Sequence, residues 1–154
     1  MNVTVSRVDP EVTLPLRQRV LRPHQSLEEM RLAADDDPAT GAYAAFDDDG
    51  TVIGTAIVLP QECPWRPGEP SWRLRGMATA DGLRGLGVGA RVLDAVIAHV
   101  AAAAGPDGAI LWCNARTPAV PFYQRAGFQP HGEVWEQPPI GPHIGMWRRV
   151  TPVG

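Results

Sequence analysis

Leu83-Arg84-Gly85-Leu86-Gly87-Val88-Gly89-Ala90 is the stretch on which the fold turns. Its three alternating glycines leave little side-chain surface between Arg84 and Ala90. Before it, Ser71 to Thr79 reads as a strand. After it, Val92, Leu93, Val96, Ile97, Val100 and Ala103 recur at helical spacing, which predicts a helix over Arg91–Ala104. The order is therefore strand, glycine-rich loop, helix. Such a loop sets bare backbone N–H groups at the positive end of a helix, a geometry that suits a phosphate.

Two phosphate loops fit these residues, and a ligand-free tight turn fits them too. Gly85-Leu86-Gly87-Val88-Gly89-Ala90 satisfies G-x-G-x-x-A, a dinucleotide fingerprint. Arg84-x-x-Gly87-x-Gly89 resembles the R-x-x-G-x-G loop with which GNAT acyltransferases hold the pyrophosphate of coenzyme A. The rest of the chain has to decide between them.

The chain has 154 residues, enough for one domain with a sizeable core. Its formal net charge of −3 gives no basis for nucleic-acid binding. All 14 basic residues are Arg, which excludes a P-loop lysine and any Schiff-base lysine. No apolar run has membrane-spanning length, and MNVTVSRVDP does not read as a signal peptide. Cys63 and Cys113 form no C-x-x-C or disulfide framework, so a reducing cytoplasm is expected.

In chain order, Asn2–Arg7 reads as a strand. Val12–Arg22 reads as a helix with Leu14, Val20 and Leu21 inward. Ser26-Leu27-Glu28-Glu29 is a capping-box pattern for a short second helix. Asp35-Asp36-Asp37-Pro38 reads as a solvated loop. Gly41–Phe46 and Thr51–Leu59 flank Asp47-Asp48-Asp49-Gly50, a hairpin signal rather than a calcium loop. Pro60–Pro70 reads as a loop, and Trp72–Thr79 as a strand pairing with Thr51–Leu59. Ala109–Asn114 is a buried strand. Thr117 is the expected cap of a further helix with Pro118 at its first position, and Gly127 its left-handed terminus with Phe128 folding back. Phe128–Trp135 and His143–Val150 are the last two strands, joined by a loop over Glu136–Pro142. His99 is expected to face solvent.

This order, β-α-(α)-β-β-β-α-β-α-β-β, argues against a dinucleotide fold. There the fingerprint follows the first strand and an acidic residue ends the next. Here the glycine loop follows the fourth strand, and the fifth ends at Asn114.

Two segments together resemble one family. Arg75-Gly76-Met77-Ala78-Thr79 followed by Arg84-Gly85-Leu86-Gly87-Val88-Gly89 resembles the CoA-binding motif of the GNAT superfamily. Asn114 through Phe122-Tyr123-Gln124-Arg125-Ala126-Gly127-Phe128 resembles its next motif, N…A…FYxxxGF. The ending Gly141-Pro142-His143-Ile144-Gly145-Met146 is similar to that of small bacterial members, including the ElaA-like group. The resemblance covers residues 72–146.

The resemblance implies an α/β (α+β) fold: a mixed, mostly antiparallel sheet of six to seven strands, about four helices, and splayed fourth and fifth strands. It implies acyl transfer from an acyl-CoA, usually acetyl-CoA, to an amine of a small molecule, protein or peptide. Met77, Ala78 and Thr79 would pair through backbone with the pantetheine amides. Gly85, Leu86, Gly87, Val88, Gly89 and Ala90 would present N–H groups to the pyrophosphate, with Arg84 adding a charge-assisted contact. Asn114 would bond the pantetheine arm, or is an ordinary strand-end asparagine.

Attack on the thioester expels a thiolate that needs a proton. The resemblance places Tyr123 beside that sulfur. A phenol with a pKa of about 10, above a thiol's ~8.5, stays protonated and can donate. The alternative is that Tyr123 only packs beside Phe122. Some family members carry a Glu on the fourth strand as base; this chain has Arg73 and Arg75 around Leu74 instead. His143, Glu133, His24 and Glu62 are then the candidate bases, with His143 foremost. His24 and His143 are also the candidate acceptor contacts. Cys63 has no neighbouring His to activate it as a nucleophile. The four His lack metal-ligand spacing, so no metal is expected. The acidic stretches 28–29, 35–37 and 47–49 lean towards a cationic acceptor, although a solvated surface explains them as well. A homodimer is left open. The rival readings are a catalytically silent acyl-CoA sensor and a dinucleotide-dependent oxidoreductase.

Overall fold

An Asp-Gly turn organises the first half of the sheet. Asp47 accepts hydrogen bonds from the N–H groups of Asp49 and Thr51 at 2.9 Å each, and Gly50 N–H donates to Asp47 O. These bonds close β2 (Gly41–Phe46) antiparallel onto β3 (Val52–Pro60), as the sequence predicts. The structure, a computed structural model, describes residues 1–31 and 37–153. Asp35 and Asp36 of the expected solvated loop lie outside them.

The other elements are β1 (Thr4–Val8), α1 (Pro10–Leu21), α2 (Leu27–Met30), β4 (Ser71–Thr79), α3 (Val88–Ala103), β5 (Ala109–Arg116), a 3-10 turn (Thr117–Ala119), α4 (Val120–Arg125), β6 (Gln129–Gln137) and β7 (Gly141–Val150). One seven-stranded sheet has the order β1-β2-β3-β4-β5-β7-β6. The β4–β5 ladder is parallel and pairs Ser71↔Ile110, Trp72↔Leu111 and Arg73↔Trp112. Beyond Arg73, β4 continues in a different contact unit. The chain divides into two such units: Met1–Leu59 with Leu74–His99, and Pro60–Arg73 with Val100 onward.

In the first unit, α1 starts two residues before the expected Val12. Asp9 caps it by accepting from Glu11 N–H at 2.9 Å, and Pro10 occupies the first turn, where a missing N–H costs nothing. Leu14 and Leu16 are buried, while Val20 and Leu21 are only half-buried. Ser26 forms both bonds of the predicted capping box with Glu29.

Helix α3 begins at Val88, three residues earlier than its apolar spacing suggests. The reason is tertiary. A Cβ on Gly54 of β3 would lie 2.9 Å from Val88 Cγ1 and 3.3 Å from Val92 Cγ2. The bare glycine therefore lets the first turn of α3 seat directly on β3. Val88, Val92, Leu93 and Val96 are fully buried, at about 1.5–3 kcal/mol each against exposure. Ala103, expected in the same stripe, is exposed. His99 is only partly exposed: its Nδ1 lies 2.8 Å from Tyr43 Oη, and its ring occupies the space a Cβ on Gly41 would need.

In the second unit β5 pairs antiparallel with β7, and β7 with β6. Two expectations need correction. Thr117 is not a side-chain cap; it opens the 3-10 turn, and α4 starts at Val120 with Pro121 in its first turn. The segment 136–142 is mostly strand, not loop: Gln137 pairs with Gly141, leaving 138–140 as the turn. Pro142 fits because the β5 ladder stops at His143, so no β5 residue asks for its missing N–H. The end of α4 is as expected. Gly127 has φ +89°, its N–H donates to Gln124 O, and Phe128 N–H donates to Tyr123 O.

Candidate active site

The glycine loop follows directly from β4. Two consecutive turns, Leu83 N–H to Ala80 O and Leu86 N–H to Leu83 O, carry the chain from β4 to α3. Gly85 and Gly87 have φ of +86° and +84°, and nothing lies within 4 Å of where their Cβ atoms would be. Glycine is required here by conformation, not by crowding. Arg91 N–H donates to Gly87 O at 3.2 Å, which makes Gly87 the N-cap of α3. The N–H groups of Val88, Gly89 and Ala90 then have no intrahelical acceptor. Residues 84–87 are exposed, Leu86 at 63 %. Arg84 pairs with Asp81, 3.5 Å away, and both side chains are exposed. The loop is thus exposed backbone at a positive helix end.

Just before it, β4 bends at Gly76, with φ +61°. Thr55 Oγ1 donates to Gly76 O at 2.9 Å, and a Cβ on Gly76 would lie 2.7 Å from Nε of the buried Arg17. Met77 and Thr79 are half-buried and Ala78 is buried. Sequence reasoning missed Gly54, Arg17 and the Gly76 bend. A glycine in each strand was the available signal.

The second unit holds Tyr123. It sits in α4, 6 % exposed, with its ring edge-on to Phe122 and Phe128. Its hydroxyl shares a hydrogen bond with the Cys113 thiol of β5. Burial, and then Cys113, push the phenol pKa well above 10. Burial pushes the Cys113 thiol up to about 12, partly opposed by Tyr123 and Arg73. Both groups are therefore protonated at neutral pH. Arg148 Nη1 donates to Ala126 O at 2.7 Å and so holds the end of α4 against β7.

Side chains alternate along strands, and paired residues share a face. Asn114 therefore lies on the face of β5 opposite Cys113. On that face three rows cross the β5, β7 and β6 strands: Arg116–His143–Trp135, then Asn114–Gly145–His131, then Trp112–Trp147–Gln129. Trp65 of the 61–70 loop covers Gly145, where a Cβ would lie 2.6 Å from its ring, and stacks on His131 with centroids 5.0 Å apart.

His143 lies within β7, only 4 % exposed. Its Nδ1 lies 2.8 Å from Gly141 O. A carbonyl only accepts, so the neutral ring carries its proton on Nδ1 and its lone pair on Nε2. The Trp135 indole stacks on it at 5.8 Å. His24 belongs to the other unit, exposed after α1 near Glu29. Glu62 accepts from Gly68 N–H, and Glu133 lies exposed in the irregular part of β6. Burial raises the Cys63 pKa, which opposes a thiolate. The acidic stretches are used locally: Glu28 pairs with Arg31, Glu29 completes the capping box, and Asp47 holds the hairpin. Among the described residues no group of three or more His, Cys, Asp or Glu is placed to hold a metal. No helix among them is long and apolar enough to cross a membrane.

Comparison with known proteins shows the family of the chain. The sequence profile of the Acetyltransferase (GNAT) family matches residues 11–128. The chain belongs to the GNAT acetyltransferase family. The uncharacterized N-acetyltransferase YitI of Bacillus subtilis (strain 168) is 35 % identical over 146 residues, covering 95 % of each chain. Solved GNAT folds agree. ElaA of Escherichia coli superposes with a TM-score of 0.69 at 21 % identity, over 96 % of this chain and 99 % of that one. An aminoglycoside 6'-N-acetyltransferase in complex with coenzyme A gives 0.70 at 18 % identity, over 98 % and 99 %. The seven-stranded mixed sheet with its short parallel β4–β5 ladder is the GNAT architecture, and the chain is an acyltransferase.

Proposed function

We propose that this GNAT enzyme transfers the acetyl group of acetyl-CoA directly to the amine of a small molecule or peptide, with Tyr123 as general acid. Residues 77–79 hold the pantetheine arm through backbone, and residues 84–90 hold the pyrophosphate. Asn114 is a further contact to the arm. The observation that carries the reading is the Tyr123 phenol. It is dry, kept protonated by burial, and already in a hydrogen bond with a sulfur. The phenol hydrogen that the Cys113 sulfur accepts can pass to a leaving thiolate, which is a stronger acceptor than a neutral thiol.

The neutral amine attacks the thioester carbonyl. The C–S bond then breaks, the thiolate sulfur takes the Tyr123 proton, and the products are amide and free CoA thiol. The attacking amine loses its own proton to a base. His143 suits that role because its lone pair is on Nε2.

Release of free thiol from acetyl-CoA over an amine panel tests the reading. Acetyl-CoA-dependent release with at least one amine, lost in His143→Gln or Tyr123→Phe, is the expected outcome. Tight acetyl-CoA binding without transfer to any amine would favour the silent sensor. Stabilisation by NADH but not acetyl-CoA would favour the oxidoreductase.

A further inference from the structure

Two separate ties to β7 fix where the Cys113 thiol and the Tyr123 hydroxyl meet. On β5, Cys113 stands opposite Met146 of β7, and the two residues are buried, at 2 % and 0 % exposed. On the helix side, Arg148 of β7 donates to Ala126 O at 2.7 Å, and Phe128 N–H donates to Tyr123 O at 3.0 Å. The Tyr123 ring lies edge-on to Phe122 and Phe128, with centroids 5.1 and 5.4 Å away. The hydroxyl that bonds the thiol is therefore held through both its helix and its ring.

Packing leaves position 113 open to any small apolar side chain. Cysteine is nearly as apolar as these, but one atom of it is both a weak donor and a weak acceptor. A general acid needs that two-way capacity in its neighbour. Before transfer the Tyr123 hydroxyl carries its hydrogen, and the Cys113 sulfur accepts it. After transfer the phenol is an anion, and its oxygen can only accept. In a dry pocket such an anion is costly unless a donor meets it. Burial already holds the Tyr123 pKa well above 10, which is a sign of that cost. The Cys113 S–H, kept protonated by the same burial, is a donor already in contact. Rotation about the Cβ–Sγ bond turns its hydrogen to the oxygen without moving a heavy atom.

We propose that Cys113 is the positioning residue of the acid step: its sulfur holds the phenol hydrogen before transfer, and its S–H turns to the phenolate oxygen afterwards. The Tyr123 O–H bond breaks, the S–H bond of coenzyme A forms, and Cys113 keeps its own hydrogen throughout. The phenolate regains a proton from solvent once the products leave, which balances the proton lost by the amine. This inference rests on the acetyl-transfer reading above, in which Tyr123 is the acid.

The test compares wild type, Cys113→Ala and Cys113→Ser in single-turnover transfer from acetyl-CoA to an amine that releases free thiol. Serine keeps a donor and an acceptor at this point, and alanine removes both. Cys113→Ala should slow the chemical step about ten- to a hundredfold, the usual worth of a hydrogen bond to a charged group. Cys113→Ser should recover most of that loss, with the KM for acetyl-CoA near wild type in both variants. An acetyl thioester of a more acidic thiol should shrink the alanine deficit. Packing predicts a different order, since a buried serine hydroxyl suits an apolar core no better than alanine does. A second readout needs no turnover. The chain has two cysteines, Cys63 and Cys113, so its infrared S–H stretch holds two bands, which Cys63→Ala assigns. The Cys113 band should shift in Tyr123→Phe, and the Cys63 band should not. An unshifted Cys113 band overturns the proposal even where a variant at 113 fails to fold, as does a Cys113→Ser rate no better than that of Cys113→Ala. Thiol release by Cys113→Ala as fast as by wild type overturns this role alone. No thiol release by wild type with any amine overturns acetyl transfer, and this role with it.

Discussion

In the proposed mechanism, the glycine loop of the first unit and the Tyr123 pocket of the second solve opposite problems. Around Gly85 and Gly87 the working atoms are backbone N–H groups, the surface is open, and no side chain stands within 4 Å of either missing Cβ. Around Tyr123 the proposed donor is a side-chain hydroxyl, on a ring buried against Phe122 and Phe128 and hydrogen-bonded to Cys113. Anion binding needs donors whose direction is fixed before the ligand arrives, and backbone conformation supplies that. Proton donation to a thiolate needs a group that keeps its proton, and dehydration supplies that. The two regions should therefore fail differently under substitution.

The largest effect is expected at Gly87. Gly87→Glu forces a side chain into the left-handed region and puts a negative charge at the proposed pyrophosphate site. Stabilisation by acetyl-CoA in a thermal melt should disappear while the apo protein still folds, because the site is open. A folded Gly87→Glu protein with an undiminished shift would move the cofactor away from this loop. Gly54→Ala comes next. It pushes on Val88 and Val92, which are stiff in a helix, and should cost about 1–3 kcal/mol of stability. Acetyl-CoA affinity should fall with it, since Val88 anchors the first turn of α3. Unchanged affinity in Gly54→Ala would show that the seat of α3 does not set the loop.

The dry pocket makes a pH prediction. The Cys113 thiol is raised by burial from an ordinary 9.0 to about 12, and Tyr123 is raised as well. A raised acid binds its proton more tightly when folded. Its contribution is thus whole below the unfolded pKa and is lost as pH rises. Denaturant stability should fall between about pH 9 and 12, and Cys113→Ala should flatten that slope whatever its absolute stability. An identical slope in Cys113→Ala would argue that the thiol is wet.

The smallest effect is at Asp81. Its pair with Arg84 is exposed and worth about 0–1 kcal/mol, so Asp81→Asn should tighten acetyl-CoA binding by at most about fivefold, less at high salt. A weaker cofactor affinity in Asp81→Asn would mean that Asp81 orients Arg84 instead of competing for it.

Much of this was legible in the chain because backbone chemistry is written in residue type. Asp47-Asp48-Asp49-Gly50, the Ser26–Glu29 capping box and the Gly127 terminus each name a local conformation, and each formed. Features set by distant packing were not legible. The start of α3 depends on Gly54 thirty-odd residues earlier, and the contact of His99 with Tyr43 depends on Gly41. Pro142 looked like loop composition, and only the length of the β5 ladder shows that a strand tolerates it. For the candidate site, the glycine loop and Tyr123 followed from motifs. The indole over His143 did not, since it needs the β6 register slip that no local pattern announces.

The central claim is that Tyr123 protonates the leaving thiolate, and a single-turnover comparison of wild type with Tyr123→Phe tests it most directly. The variant removes one oxygen from a buried site of the same shape, so acetyl-CoA should still bind. The chemical step should slow by about 10²–10⁴, and an acetyl thioester of a more acidic thiol, which needs less help from a proton, should restore part of the loss. Equal single-turnover rates for the two proteins, or a deficit that ignores the acidity of the leaving thiol, would contradict the general-acid role and leave Tyr123 as a packing residue of α4.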